Sequence, residues 1–305
     1  MVTYIFGHKS PDTDTITSSI VMANLERELG NEDAKAYRLG NINKETEYIL
    51  NYLDIEAPEL IESVEDDAEV ILVDHNSPSE SAENIENAKI TKVVDHHKIA
   101  FNTAHPLFAR LEPVGSTQTI LYKLYKENDV EITKEIASLM LSAIISDTLL
   151  LKSPTTTEDD KKALKELAEI AELDYETYGL DMLKAGTDLS DFSIEEILAL
   201  DAKQIDFKDV KSIVNQVNTA SIEDVLEMKD ELEKGIEEII EREGLDLFML
   251  LITDIVNSNS QVLVLGNAAD LVEKAYGVKL EDNTALLEGV VSRKKQVVPI
   301  MTENA

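Results

Sequence analysis

Apolar residues along the first half of the chain fall into short runs separated by polar stretches with helical spacing. Val2–Phe6, Val70–Val73 and Thr91–Val94 are rich in β-branched residues and too short for helices, so they predict buried strands. Between them, Ile16, Ile20, Val21, Leu25 and Leu29 recur at three- and four-residue intervals, which predicts a helix stopped by Gly30. Further helices are predicted near Glu45–Leu53, Ile120–Tyr125, Ile136–Ile145 and Leu164–Leu173. Strands alternating with helices predict parallel βαβ units.

A polar, turn-rich stretch at Lys184–Ser193 marks the boundary between two parts, and Ser193-x-x-Glu196 opens the next helix as a capping box. The expected organisation is a metal-binding catalytic domain at 1–186, a linker or hinge at 187–195 and a smaller substrate-binding domain at 196–305. In the second part, Val210–Val217, Phe248–Ile252 and Gln261–Leu265 predict strands, Ser221–Arg242 a long amphipathic helix, and a helix and strand close the chain. The fold class is α/β. A mainly parallel N-terminal sheet flanked by helices is joined to a smaller C-terminal α/β domain with a mixed sheet, and the active site is expected in the cleft between them.

Each predicted N-terminal strand is followed directly by histidine and aspartate: GHKSPDTD after the first, VDHN after the second and VDHH after the third. The carboxyl ends of parallel strands are where open α/β sheets build their sites. Mixed imidazole and carboxylate donors suit hard to borderline divalent metals, and the absence of cysteine excludes thiolate ligands and disulfides. The candidate ligands are His8, Asp12, Asp14, Asp74, His96 and Asp147, the last from the Ser-Asp-Thr that ends an apolar helix. They exceed the needs of one open catalytic site. Two metals fit if Asp74 bridges them, with His8 and Asp12 on one and Asp14, His96 and Asp147 on the other. Such a pair activates a bridging water for phosphoryl chemistry, here as a hydroxide. His75 and Asp95 are expected to orient the ligands, His97 to act as general acid or phosphate contact, and His105 to be structural.

Charge narrows the partners. The chain has 305 residues, with 61 Asp and Glu against 28 Lys and Arg and a net charge of −33. Such a surface repels nucleic acid and anionic membranes. No apolar run approaches the length of a membrane span, and no signal precedes the first strand, so the cytoplasm is the expected location. Against this background Ser292-Arg293-Lys294-Lys295-Gln296 is conspicuous. In a regular strand Arg293 and Lys295 share one face; at a strand end or bulge two neighbours converge. Arginine forks and lysine ammoniums both suit phosphate oxygens, and Lys203 is an isolated cation available to the same anion.

Together GHKSPDTD, DHN, DHH, SDT before LLLKSPTTTEDD, AGTDLSD, DAKQIDF, VNT, LLITDIVNSNS and SRKKQVVP resemble the family II inorganic pyrophosphatases of the DHH phosphoesterase superfamily over nearly the whole length. The resemblance implies hydrolysis of inorganic pyrophosphate at a binuclear site. That site prefers Mn2+, two ions per subunit, or Co2+, with Mg2+ accompanying the substrate. It implies the same six metal ligands, His97 as the catalytic histidine with Asp74, and Lys203, Arg293 and Lys294 as phosphate-binding cations. It also implies a homodimer through the N-terminal domain. The chain departs from many relatives after DHN, where Ser77-Pro78-Ser79 stand, and it is too short for a nucleotide-binding regulatory insert.

Overall fold

A computed structural model of the protein describes residues 2–103 and 105–305. The chain divides into two compact units, one ending at Gly186 and one running from Thr187 to Ala305.

The first unit contains, in order, β1 (Thr3–Phe6), α1 (Thr13–Glu28), β2 (Ala34–Arg38), α2 (Lys44–Leu53), β3 (Glu59–Leu60), β4 (Glu69–Val73), β5 (Lys89–Asp95) and β6 (Phe108–Leu111). The helices α3 (Thr117–Glu127), α4 (Lys134–Thr148), α5 (Glu158–Ala171) and α6 (Tyr175–Gly186) follow. Its sheet has the strand order β3-β2-β1-β4-β5-β6, and every pairing is parallel. The order reverses direction between β1 and β4, so the loops leaving these two strands part at a topological switch point, the usual place for a site. The strands β1, β4 and β5 fall on the three predicted apolar runs. Val70, Leu72 and Val93 are buried in one core cluster with Phe6 and Tyr37.

Helix α1 departs from the simple amphipathic expectation. Thr13, Asp14, Thr15, Thr17, Ser18 and Ser19 are buried along with Ile16, Val21 and Leu25, because the helix packs against β2, α3 and α4 at once. Leu29 caps its end and is half exposed. Helix α4 is apolar nearly all round and fully enclosed from Ile136 to Ile145, as expected of a helix buried on every side.

The second unit contains α7 (Ile194–Ala199), β7 (Lys203–Gln204), β8 (Ser212–Thr219), α8 (Ile222–Leu226), α9 (Lys229–Glu243), β9 (Leu247–Asp254), β10 (Asn259–Leu265), α10 (Asp270–Tyr276), β11 (Thr284–Leu287) and α11 (Val298–Asn304). The sheet order is β11-β10-β9-β8-β7, with β8 and β9 parallel and the other pairs antiparallel. Every residue of β9, the central strand, is buried, and the sheet carries a core on each face. The capping box at Ser193 and Glu196 forms as its spacing predicts.

Two local expectations are corrected. The single helix expected over Ser221–Arg242 is two, α8 and α9, with Glu227 and Met228 between them. The basic segment is no strand: Arg293–Val297 forms a π-helical turn that runs into α11. Ser292 Oγ caps that turn by accepting from Lys295 N, and Gln296 Oε1 folds back to accept from the backbone N–H groups of Val291 and Ser292. Among the described residues, no helix is long and apolar enough to cross a membrane.

Candidate metal centre

The loops after β1, β4 and β5 and the end of α4 bring the predicted acids and imidazoles of the first unit together. His8, Asp12 and Asp74 offer donor atoms within 4.8 Å of one another, and so do Asp14, His96 and Asp147. His8 Nε2 lies 3.6 Å from Asp12 Oδ2 and 3.5 Å from Asp74 Oδ2, while His96 Nε2 lies 3.5 Å from Asp74 Oδ1. Asp74 thus faces both groups, one through each oxygen.

The backbone places these donors deliberately. Asp74 keeps one ladder bond, its N–H to Val94 O at 3.0 Å, and then turns with φ +55. That left-handed conformation costs an ordinary residue about 1–2 kcal/mol. Asp12 is the N-cap of α1, accepting from Thr15 N at 2.9 Å, which leaves its other oxygen for the site. His96 donates its Nδ1–H to Val114 O, 3.0 Å away, so its Nε2 is the atom aimed inward.

A layer of hydroxyls and amides holds the carboxylates. Thr15 Oγ1 donates to Asp74 Oδ2 at 2.6 Å and Thr117 Oγ1 to Asp74 Oδ1 at 3.1 Å. Ser18 Oγ and the Thr117 N–H donate to the two oxygens of Asp14, at 3.0 and 2.7 Å. Glu45 of α2 accepts from Thr13 Oγ1, between Asp12 and Asp14, and from Ser146 Oγ, next to Asp147. Asp160 in turn clasps the turn that presents Thr117, accepting from Gly115 N at 2.9 Å and Thr119 Oγ1 at 2.6 Å. Thr15, Ser18, Glu45 and Thr117 lie outside the motifs, and Asp160, the last residue of LLLKSPTTTEDD, is given no role by them. The available signal is a run of hydroxyl residues at 13, 15, 17, 18 and 19 on a helix that also buries Ile16, Val21 and Leu25.

Crowding of the acids displaces their titration. Burial and the Asp74 charge push Asp14 up to about 7. Burial, with Asp14 and Asp74 adding to it, holds Asp147 well above the carboxylate range. Burial alone would lower His96, but its hydrogen bond to Asp74 and the Asp14 charge carry it to about 9. Asp147 Oδ2 is buried and has no hydrogen-bond partner. A buried carboxylate oxygen without a donor, among carboxylates and imidazoles only, is a donor set suited to divalent cations.

The remaining predicted residues fall into two groups. His97 is half exposed beside the centre; its Nδ1 donates to Asp95 Oδ1 at 2.9 Å and lies 3.7 Å from Asp74 Oδ1. It lines a cavity of about 300 Å3 with His8, Asp74, Glu80 and Lys98. His75 is buried, bridging Val73 O and Ser81 Oγ, and burial lowers its pKa. His105 is exposed and makes no contact with the centre. In the second unit, Arg293 Nη1 donates to Val214 O, and Val214 is the β8 residue that pairs with Lys203 of β7. Arg293 and Lys203 therefore share one sheet edge, with Lys294 exposed on the adjoining turn.

The model of the DHH family N-terminal domain matches residues 2–144 and that of the DHHA2 domain residues 180–304. The manganese-dependent inorganic pyrophosphatase of Bacillus subtilis is 55% identical over 301 residues, covering 98% of this chain and 97% of its own. A protein of Staphylococcus saprophyticus named a probable manganese-dependent inorganic pyrophosphatase is 54% identical, covering 99% of this chain and 98% of its own. A crystal structure from Methanococcus jannaschii, assigned to the family II inorganic pyrophosphatases, matches with a TM-score of 0.62 at 42% identity and covers 99% of both chains. With DHH and DHHA2 domains and this identity over nearly its full length, the chain belongs to the family of manganese-dependent inorganic pyrophosphatases.

Proposed function

We propose that the protein hydrolyses inorganic pyrophosphate to two phosphates in a manganese-dependent reaction. The observation that carries this reading is the gathering of His8, Asp12, Asp14, Asp74, His96 and Asp147 at the carboxyl ends of three parallel strands and the end of one helix. His8, Asp12 and Asp74 would hold one cation, and Asp14, Asp74, His96 and Asp147 a second. Bound cations of this kind supply an activated water and offset the charge on phosphate. Co2+ suits the same donors, and Mg2+ enters with the substrate.

The chain's own groups do the rest. Thr15 and Thr117 fix both oxygens of Asp74, so the shared carboxylate does not rotate between the two positions. The hydrogen bond to Asp95 raises the pKa of His97, which favours a protonated ring with Nε2 free to give its proton to the departing phosphate. Lys203, Arg293 and Lys294 bind phosphate oxygens and absorb charge as the bridge breaks. A homodimer formed through the N-terminal unit belongs to the same reading, supported by the motif resemblance, and a cytoplasmic location accompanies it as an expectation.

The test is phosphate release after chelation and add-back of Mn2+, Co2+, Mg2+ or Zn2+, with pyrophosphate, tripolyphosphate and a dinucleotide compared. Pyrophosphate cleavage restored best by Mn2+ is expected. Asp74→Asn loses both activity and retained manganese, whereas Lys294→Ala retains manganese and raises KM. Full activity and metal content in Asp74→Asn would overturn the ligand scheme.

A further inference from the structure

The three candidate phosphate cations do not stand in equal surroundings. Lys203 and Lys294 are exposed, and neither makes an ion pair among the described residues. Arg293 is only 13% exposed and carries an acid: its Nη2 donates to Asp201 Oδ1 at 2.9 Å.

The guanidinium is positioned without that carboxylate. Its Nη1 donates to the backbone carbonyls of Asp201 and, at 3.4 Å, Val214. The backbone beneath it is also clamped, with Arg293 N–H donating to Gln216 Oε1 at 3.1 Å and Gln216 Nε2 donating to Thr253 Oγ1 and Val291 O. The Asp201 carboxylate is half exposed, so it can swing into water at small cost while the carbonyls stay in place. An incoming phosphate oxygen seeks the same Nη2 donor that this carboxylate occupies.

We infer that Asp201 is an exchangeable counter-ion that sets the anion affinity of Arg293. It acts through Arg293 and touches no substrate. In the free protein it holds Nη2; a phosphate must displace it, and it returns as the product leaves. The inference rests on the reading of Arg293 as a phosphate-binding residue.

Asp201→Asn keeps the backbone carbonyl and the side-chain shape and removes the competing charge. In the manganese-loaded full-length enzyme, KM for pyrophosphate and the inhibition constant for inorganic phosphate are both expected to fall about fivefold, the scale of one exposed ion pair, with no gain in kcat. Asp201→Ser should act in the same direction. In an Arg293→Ala background the substitution should do nothing. If Asp201→Asn leaves both constants unchanged or raises them while Arg293→Ala raises KM, Asp201 is idle or only a brace and the inference fails. If Arg293→Ala itself leaves KM and phosphate inhibition unmoved, the reading of Arg293 has failed instead.

Discussion

Asp95 accepts both hydrogen bonds that His97 can offer it, the backbone N–H at 3.0 Å and the ring Nδ1–H at 2.9 Å, through the same oxygen. The other oxygen of Asp95 is taken by Asn76 Nδ2. The carboxylate is therefore immobile, and the tautomer and tilt of the His97 ring follow from it.

Replacing Asp95 by Asn removes the charge and keeps the size. The His97 pKa, raised mainly by this hydrogen bond, should fall towards the ordinary histidine value, as followed by NMR titration of the ring protons in metal-free protein. Turnover of pyrophosphate should fall about 10–100-fold, the usual cost of losing a partner that orients a working group. An unchanged His97 titration would show that Asp95 does not control the ring.

The metal-free protein should lose stability as pH rises. Asp14 titrates near 7 when folded against 3.8 in the reference state, and His96 near 9 against 6.5. Both folded values are raised, so the folded state holds the extra protons. The stabilisation is complete below the unfolded values and is lost as pH climbs through about 7 and then about 9. The melting temperature without metal should decline between about pH 5 and 9, and Asp14→Asn should flatten the lower part of the decline. Metal affinity runs the other way, strengthening over the same interval because cations must displace these protons. A melting temperature that rises with pH in chelator would contradict the titration order.

Glu45 joins the two segments that carry Asp12, Asp14 and Asp147, through Thr13 and Ser146, and sits against Gly186, where an added Cβ would lie 2.8 Å from the Glu45 Cβ. Glu45→Ala should weaken manganese binding about 10–100-fold, whereas Glu45→Gln, whose oxygen still accepts both hydroxyls, should stay close to the parent. Calorimetric titration of chelated protein with Mn2+ measures this independently of turnover. Equal affinity in all three proteins would reduce Glu45 to a surface helix residue.

Much of this candidate centre was legible because strands and possible donor residues are contiguous in the chain. Val70–Val73 leads straight into Asp74, and Val93–Val94 into Asp95, His96 and His97, so hydrophobic runs and donors locate one another. Strands near the sheet edges were less legible. Ala34–Arg38 buries only Ala34 and Tyr37 and carries two cations, and Phe108–Leu111 has no fully buried residue. Neither has the apolar density that marks a central strand. The π-helical turn at Arg293 depends on Ser292 and Gln296 folding onto their own backbone, a local competition that the flanking GVV and VVPI runs conceal. Asp160 and Thr117 serve Asp14 and Asp74 across long stretches of chain, and no periodicity encodes such a pairing.

The left-handed backbone at Asp74 closes this position to drift. Glycine would relax the turn and remove the donor; glutamate would keep a carboxylate but tolerate the turn poorly and overreach Thr15 and Thr117. Asparagine would keep turn and reach and surrender the charge. Only one of the twenty side chains answers all of these demands, so the residue that conformational ease would most readily replace is the one that chemistry holds in place.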